Sequence, residues 1–313
     1  MPRVDRHPLN AASTSPPERA APVGIFLQLL FTGTGIGSIY ALVALGFVLL
    51  IRAADVVNFG QGEFSMVGAY AMSILFSALG LPYLAALLVA VALMAGFGVV
   101  FAGAVYWPLR FRGGLPVIIS TIGASILLQN LVLVLYGPTP TTLPGLFAVP
   151  GLQVGPVFMD SQYLSIIVIA ALLVALQYVV FERTLLGKKL QATSQDKEMA
   201  SLLGIPVATM ILITFAYSAA LGGLAGILVA PLLFVSVGIG PLVALKAFAA
   251  NIIGGYGSIP GAILGGLALG IIETLGAAYV SVPYKDAFAF LALLAFLMLR
   301  PQGLFRERIA EKA

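Results

Sequence analysis

Residues 24–51 read GIFLQLLFTGTGIGSIYALVALGFVLLI, a stretch of 28 residues that contains no charged side chain. A helix needs about 20 predominantly apolar residues to cross the roughly 30 Å hydrocarbon core of a bilayer. The stretch therefore predicts a transmembrane helix.

The composition extends this prediction to the whole chain. Of its 313 residues, 60% are apolar and 9% are charged, whereas soluble domains average about 45–50% and about 25%. The later apolar stretches run continuously, without the alternation of a membrane β-strand. The sequence predicts an all-α polytopic membrane protein with about eight or nine transmembrane or re-entrant helices, at residues 24–51, 62–81, 83–105, 115–136, 162–181, 205–230, 236–254, 261–280 and 286–300.

Three regions follow from this pattern. Residues 1–22 are polar and Pro-rich, and they are expected to form a disordered tail. Residues 23–303 form the predicted transmembrane domain, which includes a loop at 182–205, and residues 304–313 form a C-terminal tail.

Basic residues indicate the orientation, because cytoplasmic loops of membrane proteins are enriched in Lys and Arg. The loop at 137–161 has no Lys or Arg, so it is predicted to lie outside. The C-terminus is predicted to be cytoplasmic. Nine crossings would put the N-terminus outside, whereas a re-entrant segment in the first half would put it inside, and both remain open. Ten of the 16 basic residues lie on the predicted cytoplasmic side: Arg110, Arg112, Arg183, Lys188, Lys189, Lys197, Arg300, Arg306, Arg308 and Lys312.

The composition also excludes several kinds of chemistry. The chain has no cysteine, and its single histidine, His7, lies in the polar tail, so thiolate and histidine metal sites and Ser-His-Asp triads are excluded. The chain lacks the G-x-x-x-x-G-K-[ST] pattern of a P-loop. We therefore predict a non-enzymatic membrane protein without cofactor or metal. Its basic residues are expected to face lipid headgroups rather than nucleic acid.

Charged residues inside membrane spans are functional candidates, because burying them there is costly. Four are present: Glu63, Lys246, Glu273 and Asp286. Glu63 and Glu273 fall near predicted span ends, where snorkelling or helix capping is expected. An ion-coupling role for the two glutamates is the alternative.

Two glycine-rich segments interrupt the apolar pattern: residues 57–63 (VNFGQGE), here called the first glycine break, and residues 254–261 (GGYGSIPG), the second glycine break. Paired breaks of this kind are typical of a translocation pathway. Two tight turns with close helix packing are the alternative.

The predicted cytoplasmic loop contains a short amphipathic helix at 195–203, with Thr193 or Ser194 as N-cap and Gly204 as its end. Headgroup-binding helices are usually rich in Lys and Arg on their polar face, whereas this helix begins with Asp196, Lys197 and Glu198. Docking to a cytoplasmic protein is therefore favoured over binding to lipid headgroups.

Several stretches of the chain match the pattern of one known family: residues 35–45 (GIGSIYALVAL), 56–70 (VVNFGQGEFSMVGAY), 122–130 (IGASILLQN), 197–205 (KEMASLLGI), 246–265 (KAFAANIIGGYGSIPGAILG), 284–286 and 300–303. In these stretches the chain resembles the inner-membrane permease subunits of branched-chain amino-acid ABC importers, specifically the first of the two paired permeases. One departure is visible: the family often reads Asn-Phe-Ala-His-Gly-Glu where this chain has NFGQGE at 58–63, so no histidine proton switch is expected at Gln61.

The resemblance implies a multi-pass subunit of the bacterial inner membrane with an ABC-importer permease fold. Its partners would be a second permease, two cytoplasmic ATPase subunits that hydrolyse ATP, and a periplasmic substrate-binding protein. By similarity, the loop helix would couple to an ATPase through Asp196, Lys197, Glu198, Met199, Leu202, Leu203 and Gly204. The translocation pathway would include Asn58, Gly60, Gly62, Glu63, Gly254, Gly255, Gly257 and Ser258.

The expected cargo is a branched-chain or similar hydrophobic amino acid. Urea, short amides or other amino acids would suit the same architecture, and an ion-coupled secondary carrier is a further alternative. The sequence does not separate the cargoes.

Overall fold

The computed structural model describes residues 22–146, 151–154 and 157–305. Residues 1–21 of the predicted N-terminal tail and residues 306–313 of the C-terminal tail lie outside the described residues. A short antiparallel hairpin, β1 (Leu152–Val154) and β2 (Val157–Met159), precedes the fifth helix. The described helices are α1 (Pro22–Ala54), α2 (Gln61–Ser73), α3 (Tyr83–Phe101), α4 (Gly114–Tyr136), α5 (Ser161–Arg183), α6 (Leu185–Gln195), α7 (Lys197–Leu202), α8 (Val207–Leu233), α9 (Ile239–Gly254), α10 (Ile259–Tyr279) and α11 (Lys285–Leu299).

Six helices of the described chain are long and apolar enough to cross a membrane: α1, α3 with its extension to Leu109, α4, α5, α8 and α10. The predicted all-α polytopic membrane fold is therefore confirmed. The other predicted spans coincide with α2, which a π-helical turn over Ile74–Ala78 continues, and with α9 and α11, which have 16 and 15 residues. At 1.5 Å per residue α9 and α11 rise about 23–24 Å, less than the roughly 30 Å of hydrocarbon. The number of crossings stays a prediction.

The second half of α1 forms the centre of the molecule. All residues from 37 to 50 are buried, so four turns of helix are covered on every side. The run from 221 to 230 in α8 is buried in the same way. A helix that is apolar all round belongs inside a bundle, and these two helices position the elements that carry both glycine breaks.

A seam of glycines lets α1 and α10 approach closely. Gly33 and Gly37 of α1 face Gly266 and Gly270 of α10, and a side chain at any of the four would collide with the opposite backbone. Small residues four positions apart on facing helices allow this packing in membranes. The seam holds α10, and with it the second glycine break, against the central helix.

Other helices lie at the periphery. The buried residues of α4 are Val117, Thr121 and Val132, and the buried residue of α11 is Ala289. The remaining apolar surface of these helices is available to lipid or to other subunits.

The segment after α4 is joined to the connection between α8 and α9. Thr141 and Val235 exchange two backbone hydrogen bonds of 3.0 and 2.8 Å. This bridge holds the segment that follows α4 against the connection between α8 and α9.

Candidate functional site

The first glycine break is organised by polar side chains. The Oδ1 of Asn58 accepts a 3.0 Å hydrogen bond from the Gly60 amide, and the Asn58 carbonyl accepts one from the Gln61 amide. These bonds form a turn that leads into α2. Asn58, Gln61 and Glu63 are all buried, so the turn places three polar groups inside the bundle.

Gln61 connects α2 to α8. Its side-chain oxygen accepts a 2.8 Å hydrogen bond from the Ser218 hydroxyl, and its amide nitrogen donates to the Ser218 carbonyl at 3.3 Å. The same hydroxyl lies 3.0 Å from the Gly46 carbonyl of α1. The Gln61 side chain, through Ser218, therefore joins α2, α8 and α1. This structural role does not require a side chain that titrates.

Glu63 connects α2 to α4 and α9. Its Oε1 accepts hydrogen bonds from the Ser125 hydroxyl at 2.9 Å and the Gln129 amide at 2.8 Å. Its Oε2 faces Gly240 in the first turn of α9. The side chain is 1% exposed, so the expectation that it snorkels or caps a span end is wrong. The turn before α2 starts inside the bundle, and this places the carboxylate in the interior.

Close packing requires glycine at Gly62. A Cβ there would collide with the Gly240 carbonyl and with the Ala244 methyl group of α9. Nearby, the ring of Phe59 packs against Phe248 of the same helix at a centroid distance of 5.7 Å. The first break is therefore packed along α9.

The second glycine break is organised by backbone groups. Gly255 and Gly257 have φ angles of 113° and 83°, which favour glycine. The Ser258 hydroxyl caps α10 by accepting a 3.2 Å hydrogen bond from the Gly261 amide. A side chain at Gly254 would collide with the backbone of Gly261.

Residues 303–305 complete the second break. The amides of Leu304 and Phe305 donate 2.9 Å hydrogen bonds to the carbonyls of Ile253 and Gly254, at the end of α9. The helix leaves those carbonyls without an internal partner, and the chain that follows α11 satisfies them.

The two glycine breaks lie apart from each other, and α9 connects them. Its first turns pack on the first break through Gly240, and its last residue, Gly254, begins the second break. The 14 helical steps from Gly240 to Gly254 rise about 21 Å. The structure thus places the predicted pathway residues at two levels along one helix.

The predicted loop helix at 195–203 corresponds to α7, and a second helix that was not predicted, α6, precedes it in the same loop. Asp196 caps α7 by accepting hydrogen bonds from the amides of Glu198 at 2.9 Å and Met199 at 3.0 Å. The predicted N-cap residues were wrong: the Thr193 and Ser194 hydroxyls donate to carbonyls within α6. Helix α6 continues to Gln195, so Thr193 and Ser194 lie within α6 and not at the start of α7.

Helix α7 ends as predicted and presents apolar side chains to solvent. Gly204, with φ of 78°, follows Leu203, the C-cap residue of α7. Leu202 is 81% exposed and Leu203 is 74% exposed, and Met199 is also exposed. Ala200 alone within α7 is buried. The large apolar side chains therefore point away from the bundle.

Two contacts connect α7 to the second break. The Lys197 ammonium pairs with the Asp55 carboxylate at 2.6 Å. Three residues earlier, the Arg52 guanidinium donates a 2.6 Å hydrogen bond to the Gly257 carbonyl. Sequence reasoning missed Asp55 and Arg52. Their charges at the end of the first apolar stretch, in a chain with 9% charged residues, were the available signal.

The remaining charged candidates form one network, here called the ionic cluster. The Lys246 ammonium of α9 contacts Glu273 of α10 at 2.7 Å and Asp286 of α11 at 2.6 Å. The Lys285 ammonium lies 3.4 Å from the Glu273 carboxylate. The Tyr40 hydroxyl of α1 donates a 2.8 Å hydrogen bond to the same carboxylate. The expectation that Glu273 snorkels is wrong, because it is fully buried and paired.

The sequence of this chain is similar to those of known transport permeases. Residues 29–297 match the model of a family described as "Branched-chain amino acid transport system / permease component". The high-affinity branched-chain amino acid transport system permease protein LivH of Escherichia coli K12 is 35% identical over 300 residues, which cover 92% of this chain and 97% of LivH. BraD of Pseudomonas aeruginosa, which bears the same description, is also 35% identical, over 92% of this chain and 98% of BraD.

A more distant relative extends the similarity to an archaeon. The probable branched-chain amino acid transport permease protein LivH of Methanocaldococcus jannaschii is 27% identical over 85% of this chain and 88% of its own length.

Proposed function

This chain belongs to the family of branched-chain amino acid transport permease components, and on that premise we propose that it is the membrane-embedded permease subunit of an ABC importer for branched-chain amino acids. The observation that carries the proposal is the family match, which extends over residues 29–297 and so includes both glycine breaks and α7. The absence of a P-loop pattern from the sequence agrees with energy supplied by other chains.

The importer would contain four other chains: a second permease, two cytoplasmic ATPase subunits and a periplasmic binding protein that delivers the amino acid. The membrane would be the inner membrane of a bacterium, with the C-terminus in the cytoplasm. The concentration of Lys and Arg in the segments before α4, between α5 and α8, and after α11 supports that orientation.

Helix α7 is proposed as the coupling helix that docks on an ATPase subunit. Three features support this: its capped first turn, its exposed apolar side chains Leu202 and Leu203, and the excess of acid over base in its first turn. A lipid headgroup surface would favour the opposite charge balance. The contacts of Lys197 with Asp55 and of Arg52 with Gly257 offer a route from α7 to the second break.

The two glycine breaks are proposed to line the translocation pathway. At the first break, Asn58 Nδ2 and Glu63 Oε2 are buried without a hydrogen-bond partner among the described residues. Near the second break, both polar atoms of the Asn251 side chain are buried in the same way. Buried polar groups cost free energy unless they are paired. Water or the polar ends of a passing amino acid would pair with them when the pathway opens.

Transport would proceed by alternating access. ATP would close the ATPase dimer, α7 would move with it, and the pathway would close on one side and open on the other. The apolar lining and small residues would pass a Leu- or Val-like side chain, while the polar groups at the breaks would meet the charged ends.

The experiment that tests the function is uptake by the reconstituted importer. The chain is co-expressed with its partner chains, placed in liposomes that contain ATP, and supplied with labelled leucine and the binding protein. We expect ATP-dependent leucine uptake that unlabelled isoleucine and valine suppress. Uptake of urea but not of leucine would overturn the amino-acid assignment, and uptake driven by an ion gradient without the ATPases would overturn the importer assignment.

The coupling role has a separate test. Replacing both Glu198 and Leu202 by Ala removes one charge and one large apolar side chain from α7. We expect the ATPase subunits to be lost on affinity purification, and uptake to stop, while membrane insertion is normal. The matched control is Leu185→Ala, an equally exposed leucine in the first turn of α6, which should retain the ATPases. Normal copurification of the ATPases with the double variant would refute the docking role.

A further inference from the structure

The ionic cluster is divided into a buried part and an exposed part. The side chains of Lys246 and Glu273 are 4% and 0% exposed, whereas those of Lys285 and Asp286 are 34% and 59% exposed. The buried pair sits on α9 and α10, and the exposed pair is supplied by the first turn of α11. Both parts meet at hydrogen-bond distance, since Asp286 contacts Lys246 at 2.6 Å.

The exposed pair has the charges of an amino acid. Lys285 and Asp286 are adjacent in the chain and carry one ammonium and one carboxylate. The Asp286 carboxylate faces the buried ammonium, and the Lys285 ammonium faces the buried carboxylate. A free amino acid carries the same two groups. It could replace the exposed pair with no change in the net charge of the cluster.

Charge balance matters here because an uncompensated charge inside a membrane protein is costly. If Lys285 and Asp286 moved away and nothing replaced them, Lys246 and Glu273 would each lose one of their two charged partners. A ligand with only a carboxylate or only an ammonium would restore half of the contacts. A zwitterion would restore both.

We propose that the ionic cluster is a binding site for zwitterionic amino acids, in which the ligand carboxylate replaces Asp286 on Lys246 and the ligand ammonium replaces Lys285 on Glu273. The first turn of α11 occupies the site when no ligand is bound. This inference rests on the proposed function and specifies where that function would recognise the charged ends of its cargo.

The surroundings of the cluster permit the exchange. The loop before α11 is exposed at Val282 and Tyr284, and Phe288 packs against Gly276 of α10 beyond the two exposed charged residues. Deeper in the cluster, Tyr40 keeps Glu273 oriented through a 2.8 Å hydrogen bond, and its ring centre lies 5.5 Å from the Lys246 nitrogen. The buried half of the site is therefore held by α1, α9 and α10 while the outer half can leave.

The test measures leucine binding to the purified importer complex in lipid nanodiscs without the binding protein. The informative variant is Asp286→Asn, which removes the resident carboxylate and leaves Lys246 paired with Glu273. Loss of a competing, half-exposed ion pair should lower the half-saturating leucine concentration by about fivefold. If the ionic cluster only joined the helices, removing one of its ion pairs would not strengthen leucine binding.

Two analogues test the zwitterion requirement. One is 4-methylpentanoate, which lacks the ammonium group, and the other is 3-methylbutylamine, which lacks the carboxylate. Neither should compete with leucine at concentrations at which isoleucine does. The matched control is Ser281→Ala, in the same loop but outside the cluster, which should bind leucine as the wild type does.

The possible results separate this inference from the function on which it rests. Three results would overturn the ionic cluster as the binding site, provided that the wild type still imports leucine. They are unchanged or weaker leucine binding by Asp286→Asn, competition by either analogue, and no leucine binding by either protein. Failure of the wild-type importer to take up leucine with ATP and the binding protein overturns the proposed function itself.

Discussion

At the first glycine break the side chains of Asn58, Gln61 and Glu63 make the stabilising contacts, whereas at the second break most of the stabilising contacts involve backbone groups. The first break bonds to α8 and α4 through Ser218, Ser125 and Gln129. The second uses left-handed glycines, the Ser258 cap and the backbone of residues 303–305. Two segments that look alike in the sequence are therefore stabilised by different groups.

This difference assigns different tasks to the two breaks. The first lies inside the bundle, and its polar atoms fix the positions of α2, α4 and α8. The second is joined through Arg52 to the end of α1, which Asp55 connects to Lys197 of α7. If α7 moves with an ATPase, the second break would respond first. Four sets of substitutions test this division, from the largest expected effect to the smallest.

The largest effect is expected from Gly62→Val at the first break. The new side chain would meet the Gly240 carbonyl and the Ala244 methyl group, which belong to a packed helix and cannot move away. Overpacking of this kind costs about 1–3 kcal/mol or more. We expect loss of the monodisperse complex in size-exclusion chromatography and loss of uptake. Gly96→Val on α3, where nothing lies within 4 Å of a new Cβ, is the control and should transport. Normal uptake by Gly62→Val would show that the first break is only a turn.

At the second break, Gly257→Val should reduce uptake while leaving the complex assembled. Its φ of 83° would cost an ordinary residue about 1–2 kcal/mol, and the carbonyl that accepts from Arg52 would shift. Asn tolerates this conformation, so Gly257→Asn should retain more uptake than the Val variant. The measurement is the initial uptake rate at equal complex concentration. Equal rates for Asn and Val would argue against backbone conformation as the cause.

A loss of stability is expected when Glu63 is replaced. In Glu63→Ala, the Ser125 hydroxyl and the Gln129 amide lose their acceptor, at a cost of about 1–3 kcal/mol. In Glu63→Gln, the amide oxygen can still accept both hydrogen bonds, so most of the stability should return. The measurement is the thermal denaturation midpoint of the complex in detergent. If Gln destabilises as much as Ala, the charge of Glu63 matters rather than its acceptor oxygen.

The smallest change in stability is expected from the Lys197–Asp55 pair, since an exposed ion pair contributes about 0–1 kcal/mol. Its effect should appear instead in coupling. Lys197→Ala and Asp55→Asn should each raise the number of ATP molecules hydrolysed per leucine imported, and the double variant should add little further. Lys188→Ala, which breaks the exposed pair with Glu182, should leave the ratio unchanged. Additive effects of the two single variants would contradict a role for the pair itself.

The fold class was predictable because it depends on composition. With 60% apolar residues and long stretches such as 24–51, the chain must cover its backbone polar groups inside helices that lie in lipid. The end of α7 at Gly204 was predictable for a similar reason, because a left-handed residue after a helix favours glycine. Both predictions depend on chemistry within one segment.

The predictions that failed depend on neighbours distant in the chain. Glu63 and Glu273 look like span-end residues, but partners on other helices make them interior: Ser125 and Gln129 for the first, Lys246 and Tyr40 for the second. The N-cap at Asp196 was missed because α6 extends through the predicted capping residues.

The sequence by itself determined that this chain is a polytopic helical membrane protein, where its glycine breaks and α7 lie, and that it contains no P-loop pattern. The tertiary structure alone decided which buried charges pair, that one helix joins the two breaks, and that the end of α1 connects α7 to the second break. The reason is physical: hydropathy and helix capping act within about one turn or one span, whereas ion pairs and glycine contacts form between residues that only the packing of helices brings together.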